Sequence, residues 1–282
     1  MTGPLQQETK KQERQNAGIR FTKASACGND FLIIEGGEVS GDLNALTRHL
    51  CDRHNGVGAD GVEWLYPDTE ADVMARLING DGSDAEISGN GTRCVAAELC
   101  SREEKSEIVV RTGAGLKRCR LTNQQAFKFE FEAEMGQPEV GEQLSIETVR
   151  GRTLGTKISI GNPHFVIFVE NFPDTWQLQA ALIGAQPQFP QGTNVEYVLI
   201  RAANEIEIRL FERGAGETLS SGTGSCASAV AAIASGRVSS PVNVIAPGGS
   251  QTVRWENTIY LRGPATIVSR GEFFNPVSLS CI

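Results

Sequence analysis

Three short motifs of this chain recur at one constant spacing, and that repetition constrains its fold more than any other feature. Gly28-Asn29 returns as Gly161-Asn162, Arg76-Leu77 as Arg209-Leu210, and the run that opens Ser88-Gly-Asn-Gly as Ser221-Gly-Thr-Gly, each separated by 133 residues. The chain reads as two copies of one unit, fused. A pseudo-twofold axis between such units brings two equivalent loops to face each other across a cleft. That geometry suits chemistry needing one group on each face of a substrate.

A length of 282 residues is that of about two domains. The net charge of -8 and the lack of a basic stripe argue against a nucleic-acid partner. No apolar run approaches the ~20 residues of a membrane helix. Residues 1–18 are polar and lack the apolar core of a secretory signal, so they read as a disordered extension. The seven cysteines (Cys27, Cys51, Cys94, Cys100, Cys119, Cys226 and Cys281) are odd in number and lack C-x-x-C spacing. They fit reduced thiols in a cytoplasmic protein better than a disulfide framework. His49, His54 and His164 form no H-x-x-x-H pair, so no metal site is expected.

Residue patterning predicts strands over 19–21 and 31–35, a short helix over 43–53, and a strand over 73–78. A Gly-rich turn and a helix over 92–100 follow, then alternating strands over 108–111, 116–121 and 127–133. Residues 136–141 read as a hinge. The second unit repeats the order: strands over 157–160 and 165–169, a helix over 176–183, a strand over 206–211 and a helix over 225–235. Strands over 242–245, 252–256, 258–261 and 265–269 complete it. The fold class is α+β. We divide it into a first domain of residues 19–134 plus 266–282 and a second repeat domain of residues 135–265.

Each copy places a serine and Gly-x-Gly directly before a helix. The unpaired N–H groups and positive dipole end of a helix start hold a carboxylate or phosphate without a charged side chain. A serine there is also an ordinary helix cap; two at matched positions in a duplication favour the functional reading. Asn29, Asn79, Asn90, Asn162 and Asn194 all sit in glycine-flanked turns. One alone makes a turn; five suggest amides lining a polar pocket. Glu212-Arg213, beside the Ser221 loop, could grip the amino and carboxyl groups of an amino acid. His54 and His164 are as suited to the cleft as to ordinary turns. A dinucleotide site at Gly222-Thr-Gly-Ser-Cys-Ala227 fails, because residues 238–255 hold no acid.

Together these residues resemble the diaminopimelate epimerase family. The resemblance rests on Gly28-Asn-Asp-Phe31, the run from Arg53 to Asp60, the run from Asn79 to Cys94, Gly161-Asn-Pro-His164, Gly192-Thr-Asn-Val195 and the run from Glu212 to Cys226. It spans residues 19–269. It implies two similar α+β domains, each a mixed sheet wrapped around a central helix, with the active site between them. It implies no cofactor, a small amino-acid substrate and, often in the family, a homodimer. The implied reaction converts LL- to meso-2,6-diaminopimelate: one thiolate removes the α-proton and a thiol on the other face delivers one. Here Ser88 and Ser221 stand where the family has its two cysteines. On the resemblance, Asn29, Asn79, Asn162, Asn194, Glu212 and Arg213 hold the substrate's two ends. Gly89-Asn90 and Gly222-Thr223 offer N–H groups to the reacting carboxylate. A serine hydroxyl is too weak an acid to ionise without a strong base beside it. Three readings therefore stay open: an epimerase scaffold with little or no activity, a related isomerase using Glu212 or His164 as a single base, and a non-catalytic amino-acid-binding module.

Overall fold

A computed structural model describes residues 18–39 and 41–274 of the chain. The extension expected over residues 1–18, Gly18 excepted, lies outside the described residues, as does Cys281. Among the described residues no helix is long and apolar enough to cross a membrane.

The first half opens with the hairpin of β1 (Ile19–Ala26) and β2 (Asn29–Glu35). Its turn, Cys27-Gly28, places both residues in the left-handed region, with φ of 52° and 79°. Helix α1 (Leu43–Cys51), capped by the Asp42 carboxylate, leads to β3 (Gly61–Tyr66), which pairs parallel to β2. Next come β4 (Val73–Asn79), β5 (Asp84–Ala85) and helix α2 (Gly89–Arg102), then a meander of β6 (Glu107–Thr112), β7 (Gly115–Gln125) and β8 (Lys128–Gly136).

The second half repeats this order. It holds β9 (Glu139–Thr148), β10 (Gly151–Ser159), β11 (Pro163–Phe168), α3 (Trp176–Gly184), β12 (Asn194–Ala202), β13 (Glu205–Glu212), β14 (Gly216–Thr218), α4 (Gly222–Ala234), β15 (Val242–Ala246), β16 (Gly249–Trp255) and β17 (Ile259–Phe273). The starts of α1 and α3, of α2 and α4, and of β3 and β12 keep the 133-residue offset.

Hydrogen bonds close each half into a ring. In the first, β1-β2-β3-β4-β6-β7-β8 returns to β1 through β17. In the second, β10-β11-β12-β13-β15-β16-β17 joins β8, which continues into β9 and so back to β10. Strand β17 serves both rings. Residues 259–266 pair antiparallel with β8, and residues 266–273 pair with β1. On that pairing we propose that residues 266–273 belong to the first domain.

One helix fills each ring. Helix α2 buries Cys94, Val95, Ala96 and Ala97, and α4 buries Cys226, Ala227, Ala229, Val230 and Ala231. Small side chains facing inward on every side suit a helix enclosed by sheet. Helices α1 and α3 cover the outer faces. Leu46 and Leu50 pack on Val62 and Trp64; Trp176, Ala180 and Ile183 pack on Val195 and Tyr197.

Three sequence expectations change, one of them at the expected hinge over 136–141, where residues 139–141 already belong to β9. Helices α2 and α4 start at Gly89 and Gly222 rather than at 92 and 225, because the Ser88 and Ser221 hydroxyls cap them and draw Gly-x-Gly into the first turn. The strands expected over 258–261 and 265–269 form one strand, which bridges the two rings without a turn.

Candidate active site

The starts of α2 and α4 meet on the pseudo-twofold axis, backbone against backbone. A β-carbon on Gly222 would stand 2.8 Å from the Gly89 Cα, and one on Gly89 would stand 3.1 Å from the Gly222 Cα. Glycine is required at this contact because no side chain fits between the helices. Two positive dipole ends thus converge on one spot. Ser88 and Ser221, both extended, flank it. Ser88 Oγ accepts from the Gly91 N–H at 3.0 Å, and Ser221 Oγ accepts from the Gly224 N–H at 3.2 Å.

Above this floor lies a cavity of ≈ 400 Å³, within the usual range for small-ligand sites. Among the residues expected at the site, Asn29, Asn79, Ser88, Gly89, Asn162, Asn194, Glu212, Arg213, Ser221 and Thr223 line it. They come from both halves, carried on strand ends and helix starts. Asn194 Oδ1 accepts from the Arg213 N–H at 2.9 Å, and Asn162 Nδ2 donates to Thr223 Oγ1 at 3.3 Å. These bonds fix the amides facing the cavity.

The two faces differ in one decisive group. Beside Ser221 stands Glu212, which accepts from Thr218 Oγ1 at 2.7 Å and from Ser221 Oγ at 3.3 Å. Burial pushes its carboxyl above the usual range, with the Thr218 hydrogen bond pulling it partly back. The residue equivalent to Glu212 beside Ser88 is Asn79, which cannot exchange a proton.

His164 is buried behind Asn162. Its Nδ1 lies 2.6 Å from Glu196 Oε1 and its Nε2 lies 2.9 Å from Asn162 Oδ1. Asn162 uses its amide protons on Thr223, so Oδ1 accepts and His164 Nε2 carries a proton. A hydrogen-bonded chain therefore runs from Glu196 through His164, Asn162 and Thr223 to Ser221.

Besides His164, three expected site residues stand apart from the cavity. Asn90 is fully buried behind the wall, where Nδ2 donates to Ser220 Oγ at 3.3 Å and Oδ1 accepts from Arg93 at 2.5 Å and Gln251 at 2.9 Å. Its side chain turns inward because the buried Arg93 guanidinium needs an acceptor. Gly222 packs on Gly89 beneath the floor. His54 is exposed in the turn after α1, where its N–H donates to Asp52 at 2.7 Å.

Phe31, Asp60, Ser83 and Glu86 also line the cavity and were not anticipated. Nor were two buried carboxyl groups, Glu63 on β3 and Glu196 on β12. A signal for that pair exists: Val62-Glu63-Trp64 recurs as Val195-Glu196-Tyr197 at the same 133-residue offset. Cys94 and Cys226 are buried within the helices, and burial pushes the Cys226 thiol up to about 12.

The sequence profile described as Diaminopimelate epimerase matches residues 21–140 and 156–268. The chain belongs to the diaminopimelate epimerase family. A protein named diaminopimelate epimerase from Pelotomaculum thermopropionicum is 37% identical over 276 residues, which cover 90% of this chain and 99% of the relative. One of the same name from Methanococcus maripaludis is 34% identical over 274 residues, 90% of this chain and 99% of the relative. The fold extends beyond the diaminopimelate epimerase family. A structure of a probable proline racemase from Agrobacterium radiobacter superposes with a TM-score of 0.73 at 17% identity, covering 93% of this chain and 95% of that one. A phenazine biosynthesis protein of the PhzF family from Bacillus anthracis gives 0.69 at 15% identity, covering 90% and 98%. As a member of the diaminopimelate epimerase family the chain is an amino-acid epimerase by descent, with a hydroxyl at both helix starts.

Proposed function

We propose that this chain epimerises LL-2,6-diaminopimelate to the meso form in the cleft between Ser88 and Ser221, without a cofactor. The observation that carries this reading is the meeting of two serine-capped helix starts, backbone to backbone, at the floor of one cavity. The N–H groups there suit the carboxylate on the reacting carbon and the negative charge that grows as its proton leaves. The amides of Asn29, Asn79, Asn162 and Asn194, with Arg213, suit the charged groups at the substrate's ends.

Serine in place of cysteine shifts the burden of proton transfer. On one face, Ser221 Oγ takes the α-proton while its own proton passes to the Glu212 carboxylate. On the other face, Ser88 gives its proton to the carbon, and the Gly91 N–H steadies the oxygen until solvent restores the proton. The position equivalent to Glu212 on the Ser88 face is Asn79, whose amide cannot relay a proton, so this second transfer limits the rate. The presence of Glu212 on one face alone favours one further reading, a single-base enzyme that labilises the α-proton without inversion.

Incubation of LL- and meso-diaminopimelate with the protein in D₂O, followed by NMR, separates these. Exchange with inversion is the expected result. Exchange without inversion establishes the single-base reading, and neither exchange nor binding removes the substrate assignment.

A further inference from the structure

Glu63 and Glu196 occupy equivalent places beneath the two helix starts. Glu63 stands on β3 between Ile33 of β2 and Leu77 of β4, and Glu196 stands on β12 between Val166 of β11 and Leu210 of β13. Each carboxyl group reaches the third residue of its helix. A β-carbon on Gly91 would stand 2.1 Å from Glu63 Oε1, and one on Gly224 would stand 3.1 Å from Glu196 Oε1. In both turns the same point lies against the capping serine, 3.2 Å from Ser88 Cβ and 3.1 Å from Ser221 Cβ.

The mates differ in what answers them. Glu196 is paired with His164. The residue equivalent to His164 is Phe31, and Glu63, 3% exposed, makes no hydrogen bond or ion pair among the described residues. An unpaired carboxylate in such a place is costly, so the group is held as the neutral acid. Burial pushes it up to about 8. The titratable group facing it is Cys94 of α2, whose thiol burial keeps protonated, while its strand neighbours Ile33 and Leu77 do not titrate. The Gly91 N–H above it is the group that holds Ser88 Oγ.

We propose that Glu63 is a positioning residue for the Ser88 face: as a neutral acid packed under Gly91 it leaves the first turn of α2 open to a substrate carboxylate, and its ionised form closes that turn to anions. The inference rests on the epimerase reading for the identity of that carboxylate. A buried negative charge within the first turn cancels the dipole that attracts the anion, so affinity follows the fraction of neutral Glu63.

The test is calorimetric titration of meso-diaminopimelate into the wild-type chain, Glu63→Gln and Glu63→Met, at pH 7 and at pH 9. Substrate ammonium groups and Glu212 titrate alike in all three, so the readout is the ratio of variant to wild type. Wild-type affinity should fall by roughly tenfold more than that of either variant across this range. Glu63→Met keeps the comparison if Glu63→Gln fails to fold. A pH dependence shared by wild type and variants overturns the inference while leaving the epimerase reading intact. Absence of binding at both pH values overturns that reading and this inference with it.

Discussion

At the scale of single residues, the site is a balance of buried carboxyl groups. Glu212 must be a carboxylate to take the Ser221 proton. Its folded value is raised by burial, so proton exchange should rise with pH through that value and then level off. Glu212→Gln should lower exchange by at least about 10²-fold at every pH, measured by NMR in D₂O. Glu63 makes a stability prediction. Its folded value of about 8 lies above the ordinary 4.5, so the folded state holds a proton that the unfolded state has lost. Stability from this group is therefore complete below about pH 4.5 and is lost as pH rises towards 8. The loss has an upper bound of about 5 kcal/mol. Thermal unfolding between pH 6 and pH 9 should show wild type losing more stability than Glu63→Gln; parallel curves contradict this. Glu63 and Glu196 escaped the sequence reading because each sits in an apolar run, where a lone acid looks like a break in a strand rather than a buried group.

At the scale of elements, the helix starts carry the account. Alanine is ordinarily a better helix residue than glycine by roughly 1 kcal/mol. At Gly222 that preference should be reversed, because the added carbon meets the Gly89 Cα at 2.8 Å and neither backbone can yield. Gly222→Ala should cost about 1–3 kcal/mol in urea unfolding and weaken diaminopimelate binding. A stabilised variant with unchanged binding contradicts the close contact. Elements with clear local signals were legible: α1 from its apolar spacing, β4 from the Gly-rich turn that follows it, and the repeat from its motifs. Strands β3 and β12 were not. Both are buried on both faces, between a central and an outer helix, so Gly61–Tyr66 and Asn194–Ala202 lack the alternation that marks a strand. Strand β9 was read in part as hinge because it is mostly exposed and polar; its pairing with β10 and the burial of Ile146 against Phe165 and Trp176 order it.

At the scale of the whole molecule, duplication produced two rings that share strands. Because β17 closes the first ring after completing the second, the halves should not unfold apart. A chain ending at Pro264 leaves the edge of β1 unpaired and should aggregate, where the full chain gives one cooperative transition by calorimetry. The cleft formed by this exchange presents one hydroxyl on each side of a substrate, and the central claim is that both sides are needed. The measurement that tests it most directly is the rate of LL- to meso-diaminopimelate conversion by Ser88→Cys, Ser221→Cys and the double variant. A thiol ionises near neutrality where a hydroxyl does not, so the double variant should exceed either single variant by at least about 10²-fold. A single variant as fast as the double contradicts the two-faced cleft, and a double variant without epimerisation contradicts the epimerase reading itself.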